Sequence, residues 1–320
     1  MEDKIKNYEN NYNDIPVLFI TFNRLNSTKL VFSAIRKQAP KKLYISSDGP
    51  RNSHPEDEIK IKAIRDYIDN SIDWPCTVKR KYSDANLGCM INPASSISWM
   101  LSREEYGIIL EDDCIPSLDF FRFCGYLLNK YKNHENVYAI TGDRFSKGNM
   151  RYSYGFNHIL QPWGWATWRR AWEQYSTKIE NPLEINKSAI FKKLPKRSRD
   201  FWIENFLLVH KNGIDAWDYQ FIYMLFKHEK YVVFPKENLV KNIGFSEEAT
   251  HTKSSNDLFC VDVKNIDFPL LDPPRVSLSL KYFWYMNRLY TKRTIYIKIR
   301  MKIERLFNRL FKNIGVNGVN

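Results

Sequence analysis

Tyr106-Gly107-Ile108-Ile109-Leu110-Glu111-Asp112-Asp113-Cys114-Ile115-Pro116 is the stretch on which the fold turns. Its apolar half is short, β-rich and bounded by Gly and Pro, which predicts a buried strand over Tyr106 to Leu110 with three carboxylates at its C-terminal end. In an open α/β sheet that edge is where ligands bind. Adjacent acids there repel one another and lose solvation unless a divalent cation or hydrogen-bond donors share the site. Hard oxygen ligands suit Mn²⁺ or Mg²⁺, and those cations suit a diphosphate. The triplet also fits a second reading, an acidic turn that caps the following helix through Ser117 and Asp119.

The residues around this strand alternate as a doubly wound domain does. Strands are expected at Pro16 to Thr21, Lys42 to Ser46 and Thr77 to Tyr82, and helices at Ser27 to Gln38, Glu56 to Asn70, Pro93 to Ser102 and Leu118 to Tyr131. That rhythm predicts a mostly parallel central sheet flanked by helices. The strand ends carry Thr21-Phe22-Asn23-Arg24, Ser46-Ser47-Asp48-Gly49 and Ser83-Asp84-Ala85-Asn86 beside the acidic triplet, so one edge makes a cleft.

The chain has 320 residues, 43% of them hydrophobic, enough for one large α/β domain with an appendage or for two modest ones. Nine Trp and nineteen Tyr exceed what packing usually needs and suit the gripping of flat rings, whether sugars or bases. Five Cys (76, 89, 114, 124 and 260) form no C-x-x-C pair, which disfavours a disulfide framework or a zinc site and fits a reducing cytoplasm. Residues 1–14 form a polar extension without the apolar core of a signal peptide, and no run approaches the length of a spanning helix.

Beyond residues 15–135, which carry the strand ends, residues 136–266 read as a more aromatic acceptor-binding half of the same domain. Phe268-Pro269-Leu270-Leu271-Asp272-Pro273-Pro274 cannot continue a helix, so 267–280 reads as a linker. Residues 281–320 follow as a basic tail. The net charge is +13, and between Lys281 and Lys312 ten basic residues face a single acid, Glu304. On a helical period Ile295, Tyr296, Ile299, Ile303, Leu306, Phe307 and Leu310 share one arc, with Lys298, Lys302, Arg305, Arg309 and Lys312 beside it. Such a helix suits an anionic membrane surface. It also suits packing on the body with a solvated basic face; without a DNA-binding motif, nucleic acid is not an expected partner.

Taken in order, these motifs resemble glycosyltransferases of the GT-A fold, with the nearest likeness to the inverting N-acetylglucosaminyltransferase I type and related bacterial sugar transferases. The motifs are Ile15 to Arg24, Ser46-Ser47-Asp48-Gly49, Ile108 to Asp113 with Asp119-Phe120-Phe121, Gly164-Trp165, Trp217-Asp218 and Asn242-Ile243-Gly244-Phe245. The resemblance implies a metal-dependent transferase that moves a sugar from a nucleotide-diphosphate donor, a UDP-sugar being favoured, to a glycan or lipid-linked acceptor with inversion.

It makes Asp113 the ligand of Mn²⁺ or Mg²⁺ and sets Glu111 and Asp112 toward the donor ribose and sugar. It places Thr21, Phe22 and Arg24 along the nucleotide and Asp48 on the base edge. Asn86 and Gly88 match a nucleotide-side loop of bacterial sugar transferases, Gly164 and Trp165 a turn touching the donor sugar, and Asp218 the general base, with Asp215 its rival. His251 matches a C-terminal His near metal or phosphate. Trp168 and Trp172, at helical spacing, read as core. The expected setting is cytoplasmic, at the inner face of the plasma membrane, in surface polysaccharide synthesis. Two other readings remain: a sugar-nucleotidyltransferase, and a membrane-active or scaffolding protein that works through its basic helix.

Overall fold

Five consecutive buried residues, Val17–Thr21, make β1, and their alternation divides the core. Leu18 and Ile20 point to one face of the sheet, Val17 and Phe19 to the other, as in a strand covered on both sides. A computed structural model describes residues 12–146, 148–244 and 261–292. His251 and the apolar arc of the tail from Ile295 to Leu310 lie outside the described residues.

The strands are β1, β2 (Lys42–Ser47), β3 (Thr77–Tyr82), β4 (Tyr106–Glu111), β5 (Cys114–Pro116), β6 (Val137–Thr141), β7 (Tyr154–Asn157), β8 (Trp165–Trp168), β9 (Tyr231–Pro235) and β10 (Val240–Asn242). Eight of them form one sheet in the order β3-β2-β1-β4-β8-β6-β9-β7. The first four run parallel, β8 is antiparallel to both β4 and β6, β9 is parallel to β6, and β7 closes the far edge antiparallel. The mostly parallel α/β sheet anticipated from the sequence is present. β5 and β10 pair as a separate two-stranded ribbon.

Helices α1 (Leu25–Gln38), α2 (Glu56–Ser71) and α4 (Leu118–Lys130) cover one face through Phe32, Ile35, Ile64, Ile68, Phe121 and Leu127. The other face is covered by α3 (Gly88–Leu101), the short α5 (Arg169–Trp172) and α6 (Ala189–Lys192), α7 (Lys196–His210), α8 (Asp218–Lys227) and α9 (280–292). Ile97, Met100, Trp202, Phe206, Phe221 and Phe283 pack there. No helix among the described residues is long and apolar enough to cross a membrane.

Two boundaries depart from expectation. α3 starts five residues before Pro93, which sits inside the helix, because its first turn is capped by a carboxylate 126 residues away. Residues 267–279 form no helix, yet they are strapped to the body rather than loose. Asp272 accepts hydrogen bonds from Tyr126 Oη and Tyr154 Oη, both at 2.8 Å, and pairs with Lys130 at 2.6 Å. Leu270 is buried.

Candidate functional site

The C-terminal ends of β1 and β4 lie side by side, with Ile20 in register with Glu111, so the chain leaving β1 meets the acidic triplet. Asp112, buried, accepts from the backbone N–H of Phe22 at 3.1 Å and from the Arg24 guanidinium. The other guanidinium nitrogen of Arg24 pairs with Asp113 Oδ2 at 2.9 Å. One cation therefore spans two of the three acids, which allows them to stand next to one another. Ser117, not the triplet, caps α4 by accepting from Phe120 N at 3.2 Å. Asp119 is occupied with Ile266 N at 3.1 Å. The helix after the acidic turn is thus capped through Ser117, with Asp119 in its first turn, as the second reading has it, while Asp112 and Asp113 turn to Arg24.

Glu111 is the third acid. Burial first, then the charges of Asp113 and Asp112, push its carboxyl up to about 8, against the pull of a hydrogen bond from the Trp217 side chain. Trp217 is buried and stacks on Trp165, ring centroids 5.1 Å apart and planes 18° apart. Asp218 follows as the first residue of α8, half-buried. A line of contacts thus runs from Arg24 through the triplet to Trp217 and Asp218.

The ribbon of β5 and β10 brings a further segment to the same place. Asn242 faces Cys114, Ile243 N donates to the Asp113 carbonyl at 2.8 Å, and Gly244 N donates to Asn242 Oδ1 at 2.7 Å. A Cβ on Gly244 would lie 2.2 Å from Asp113 Oδ2, so only glycine lets the backbone come this close to the carboxylate. Asp113 Oδ1 accepts from the Cys114 thiol at 3.2 Å.

Several expected contacts are spent inside the protein. Asp48 accepts from Gly49 N and Leu87 N on one oxygen, at 2.8 and 2.9 Å, and from Asn86 Nδ2 and Gly88 N on the other, at 3.0 and 3.1 Å. A carboxylate offers about four acceptor positions, so none is left for a base edge, and Asp48, Asn86 and Gly88 form a brace between two loops. Thr21 Oγ1 donates to the Ser46 carbonyl at 3.2 Å and is buried. Trp165 is wholly buried, because β8 is an interior strand covered on both faces; it supports Trp217 and offers no face to a sugar.

Gly164 adopts φ +94°, and a Cβ there would meet Val240 at 2.8 Å, so its role is a tight turn under β10. Asp215 accepts from Cys89 N at 3.0 Å and Met90 N at 2.8 Å, capping α3. That gives it a positioning role rather than one as rival base. Trp168 and Trp172 are core residues, their indole N–H groups donating to Leu128 O and Ser98 Oγ.

Two residues, Arg51 and Asp143, were not legible as site candidates. Arg51 lies over the Phe22 ring, 5.2 Å from its centroid, and is held there by Asp57 at 2.7 and 3.0 Å. The Arg51 hydrogen bonds pull the Asp57 carboxyl down to about 2. Asp143 lies just past the end of β6, on the sheet edge that carries the triplet; it is buried, and its Oδ1 has no partner among the described residues. Burial raises its pKa well above the ordinary range. The neighbouring Arg144 does not pair with it but donates to backbone carbonyls of Ser146, Lys236 and Gly148.

No cluster of three metal-ligating side chains occurs among the described residues. The donor set is nevertheless suited to Mn²⁺ or Mg²⁺. These cations keep several waters and are held by one or two carboxylates together with substrate phosphates. Asp113, partly exposed at the cleft edge beside glycine backbone, supplies such a carboxylate.

Neither the protein-family models nor the curated proteins contain a match. Among solved structures, a mannosyltransferase, PcManGT from Pyrobaculum calidifontis in complex with GDP-Man and Mn²⁺, is similar at 13% identity over 67% of this chain and 69% of that one, with a TM-score of 0.39. HddC from Yersinia pseudotuberculosis is similar at 12% identity over 50% and 80% of the two chains, with a TM-score of 0.31. A 4-diphosphocytidyl-2C-methyl-D-erythritol synthase from Anaerococcus prevotii is similar at 11% identity over 69% and 88%, with a TM-score of 0.34.

Proposed function

We propose that this chain is a metal-dependent glycosyltransferase that takes a sugar from a nucleotide-diphosphate donor, a UDP-sugar first among them, and transfers it with inversion. The acceptor is a glycan or lipid-linked precursor of a surface polysaccharide at the inner face of a membrane. The observation that carries this reading is the acidic turn after β4, joined on one side to Arg24 and on the other, through Glu111, to Trp217 and Asp218.

Asp113 would hold the cation together with the donor phosphates, and the cation when bound supplies charge neutralisation for the departing diphosphate. Arg24, about one-fifth exposed, adds a guanidinium on the same edge, suited to phosphate oxygens. Phe22 beneath Arg51 offers a flat cationic surface for the nucleotide. Asp218 would accept the proton of the acceptor hydroxyl as its oxygen attacks the anomeric carbon. The buried wall of Trp217 on Trp165 fixes the start of α8 and with it the position of Asp218.

Thermal-shift measurements with UDP-, GDP-, CMP- and dTDP-sugars, with and without Mn²⁺, test the reading on the wild type and Asp113→Ala. The expected result is stabilisation by one nucleotide class that needs the metal and is absent in the variant. Asp218→Asn is expected to keep that shift while losing transfer by roughly 10²–10⁴-fold. Stabilisation by a nucleoside triphosphate and by no nucleotide sugar would replace this reading with the nucleotidyltransferase one.

A further inference from the structure

α9 has one face built into the body and another that carries aromatic and basic side chains outward. Tyr282, Phe283, Met286 and Leu289 are buried, Asn287 Oδ1 accepts from Trp202 Nε1 at 2.7 Å, and the Tyr282 ring stacks on Phe234 at 3.9 Å. The helix therefore cannot roll. Lys281, Trp284, Tyr285, Arg288 and Lys292 are exposed, at spacings of three and four residues that place them in one row. Trp284 leaves 52% of its surface open and the neighbouring Leu280 47%. Residues 280–292 contain no acid, and none of the three basic side chains makes an ion pair among the described residues.

We propose that this row is a docking surface for an anionic lipid bilayer. Indole and phenol rings seat at the boundary between headgroups and acyl chains, where one part of the ring is apolar and another wet. Lysine and arginine beside them meet the negative surface of the leaflet. The chain's own residues 293–320 are a poor cover for the row, since they carry seven basic residues and one acid and would bring like charge against like.

The position of the row relates it to the cleft. Tyr285 Oη donates to the Phe145 carbonyl at 2.9 Å, the Phe145 ring meets Trp163 edge-on at 5.3 Å, and Trp163 N donates to Asp143 at 3.2 Å, on the sheet edge of the acidic turn. A bilayer lying on α9 runs alongside the second half of the sheet, where a lipid-linked acceptor would arrive. This deepens the acceptor part of the function proposed above and rests on it only for that consequence, because vesicle binding is read without donor, acceptor or transfer.

The test is co-sedimentation of the full chain with phosphatidylcholine vesicles and with vesicles containing phosphatidylglycerol. Wild type, Trp284→Ala and the double variant Lys281→Gln/Arg288→Gln are compared, with melting temperatures confirming that these surface changes leave the fold intact. The expected result is binding to the anionic vesicles alone, weakened roughly five-fold per neutralised basic residue and several-fold by the loss of the indole. Wild-type binding that both variants retain in full would overturn the proposal and assign binding to 293–320. So would failure to bind anionic vesicles at all, or a dimer in solution that Trp284→Ala dissolves.

Discussion

His158 follows β7, buried, with Nδ1 2.7 Å from the Lys230 carbonyl oxygen and its ring stacked on Tyr231 at 4.5 Å. A carbonyl only accepts, so Nδ1 carries the proton and Nε2, which has no partner among the described residues, is bare. Burial lowers this imidazole from 6.5 to about 4. Above 6.5 the residue is neutral in both folded and unfolded chains. Between 6.5 and 4 the unfolded chain takes up a proton that the folded one refuses, so stability falls as pH falls through that window and this residue adds no further loss below it. The full effect is about 3 kcal/mol. Denaturation midpoints measured between pH 7 and pH 4 are expected to drop more steeply for wild type than for His158→Gln, which keeps a donor for Lys230 O but does not titrate. Parallel curves would show that other groups carry the acid sensitivity. Residue type alone left such roles open: an Asp-Gly pair after a strand is compatible with a base contact or with a brace. Only the four donors around Asp48 decide for the brace.

The elements that rest on local periodicity were legible to within one or two residues. β1, β2 and β4 are continuous buried runs, and α1, α2 and α4 bury a face that repeats along their own sequence, so pattern and structure coincide; β3, an edge strand with no buried residue, is marked by its β-rich composition alone. The elements that depend on distant partners were not. The three-residue strands β5 and β10 exist because Asn242 and Cys114 are placed opposite each other by the rest of the fold. The start of α3 depends on Asp215, which no local window contains. That cap makes a specific prediction. Asp215→Ala should cost about 1 kcal/mol, the usual worth of an N-terminal cap. Gly88→Ala should cost a similar amount for its φ of +81°, and more because the new Cβ would lie 2.6 Å from Asp215 Oδ2 and displace the cap. In the double variant the steric part disappears, so urea denaturation should show the two losses adding to less than their sum, by at least about 0.5 kcal/mol. Strict additivity would mean that Asp215 moves aside without cost.

Across the whole molecule, the parallel strands that carry the acidic turn meet the second half of the sheet at β8, a strand of four residues bonded to β4 on one side and β6 on the other. Thr167 Oγ1 reinforces the joint by donating to the Tyr138 carbonyl at 2.6 Å. Trp165 opens that strand and also stacks on Trp217, whose side chain holds Glu111, so one side chain serves both the joint and the candidate site. The sequence reading set Trp165 against the donor sugar, and the structure puts its ring between layers instead; a large aromatic beside a glycine serves either use, so residue type did not reveal the difference. Trp165→Ala should lose about 3–5 kcal/mol of stability, as expected for emptying a buried aromatic site. It should also weaken donor binding in the molecules that remain folded, because Trp217 loses the surface that orients it. Trp165→Phe keeps a ring under Trp217 and should recover most of both. Guanidinium unfolding followed by near-ultraviolet circular dichroism reads the first effect and also the coupling of the halves: a β8 that ties them together gives one transition with a lowered midpoint. A variant that unfolds in two separated steps would show that each half stands on its own core, and that the site between them is held by packing rather than by the shared strand.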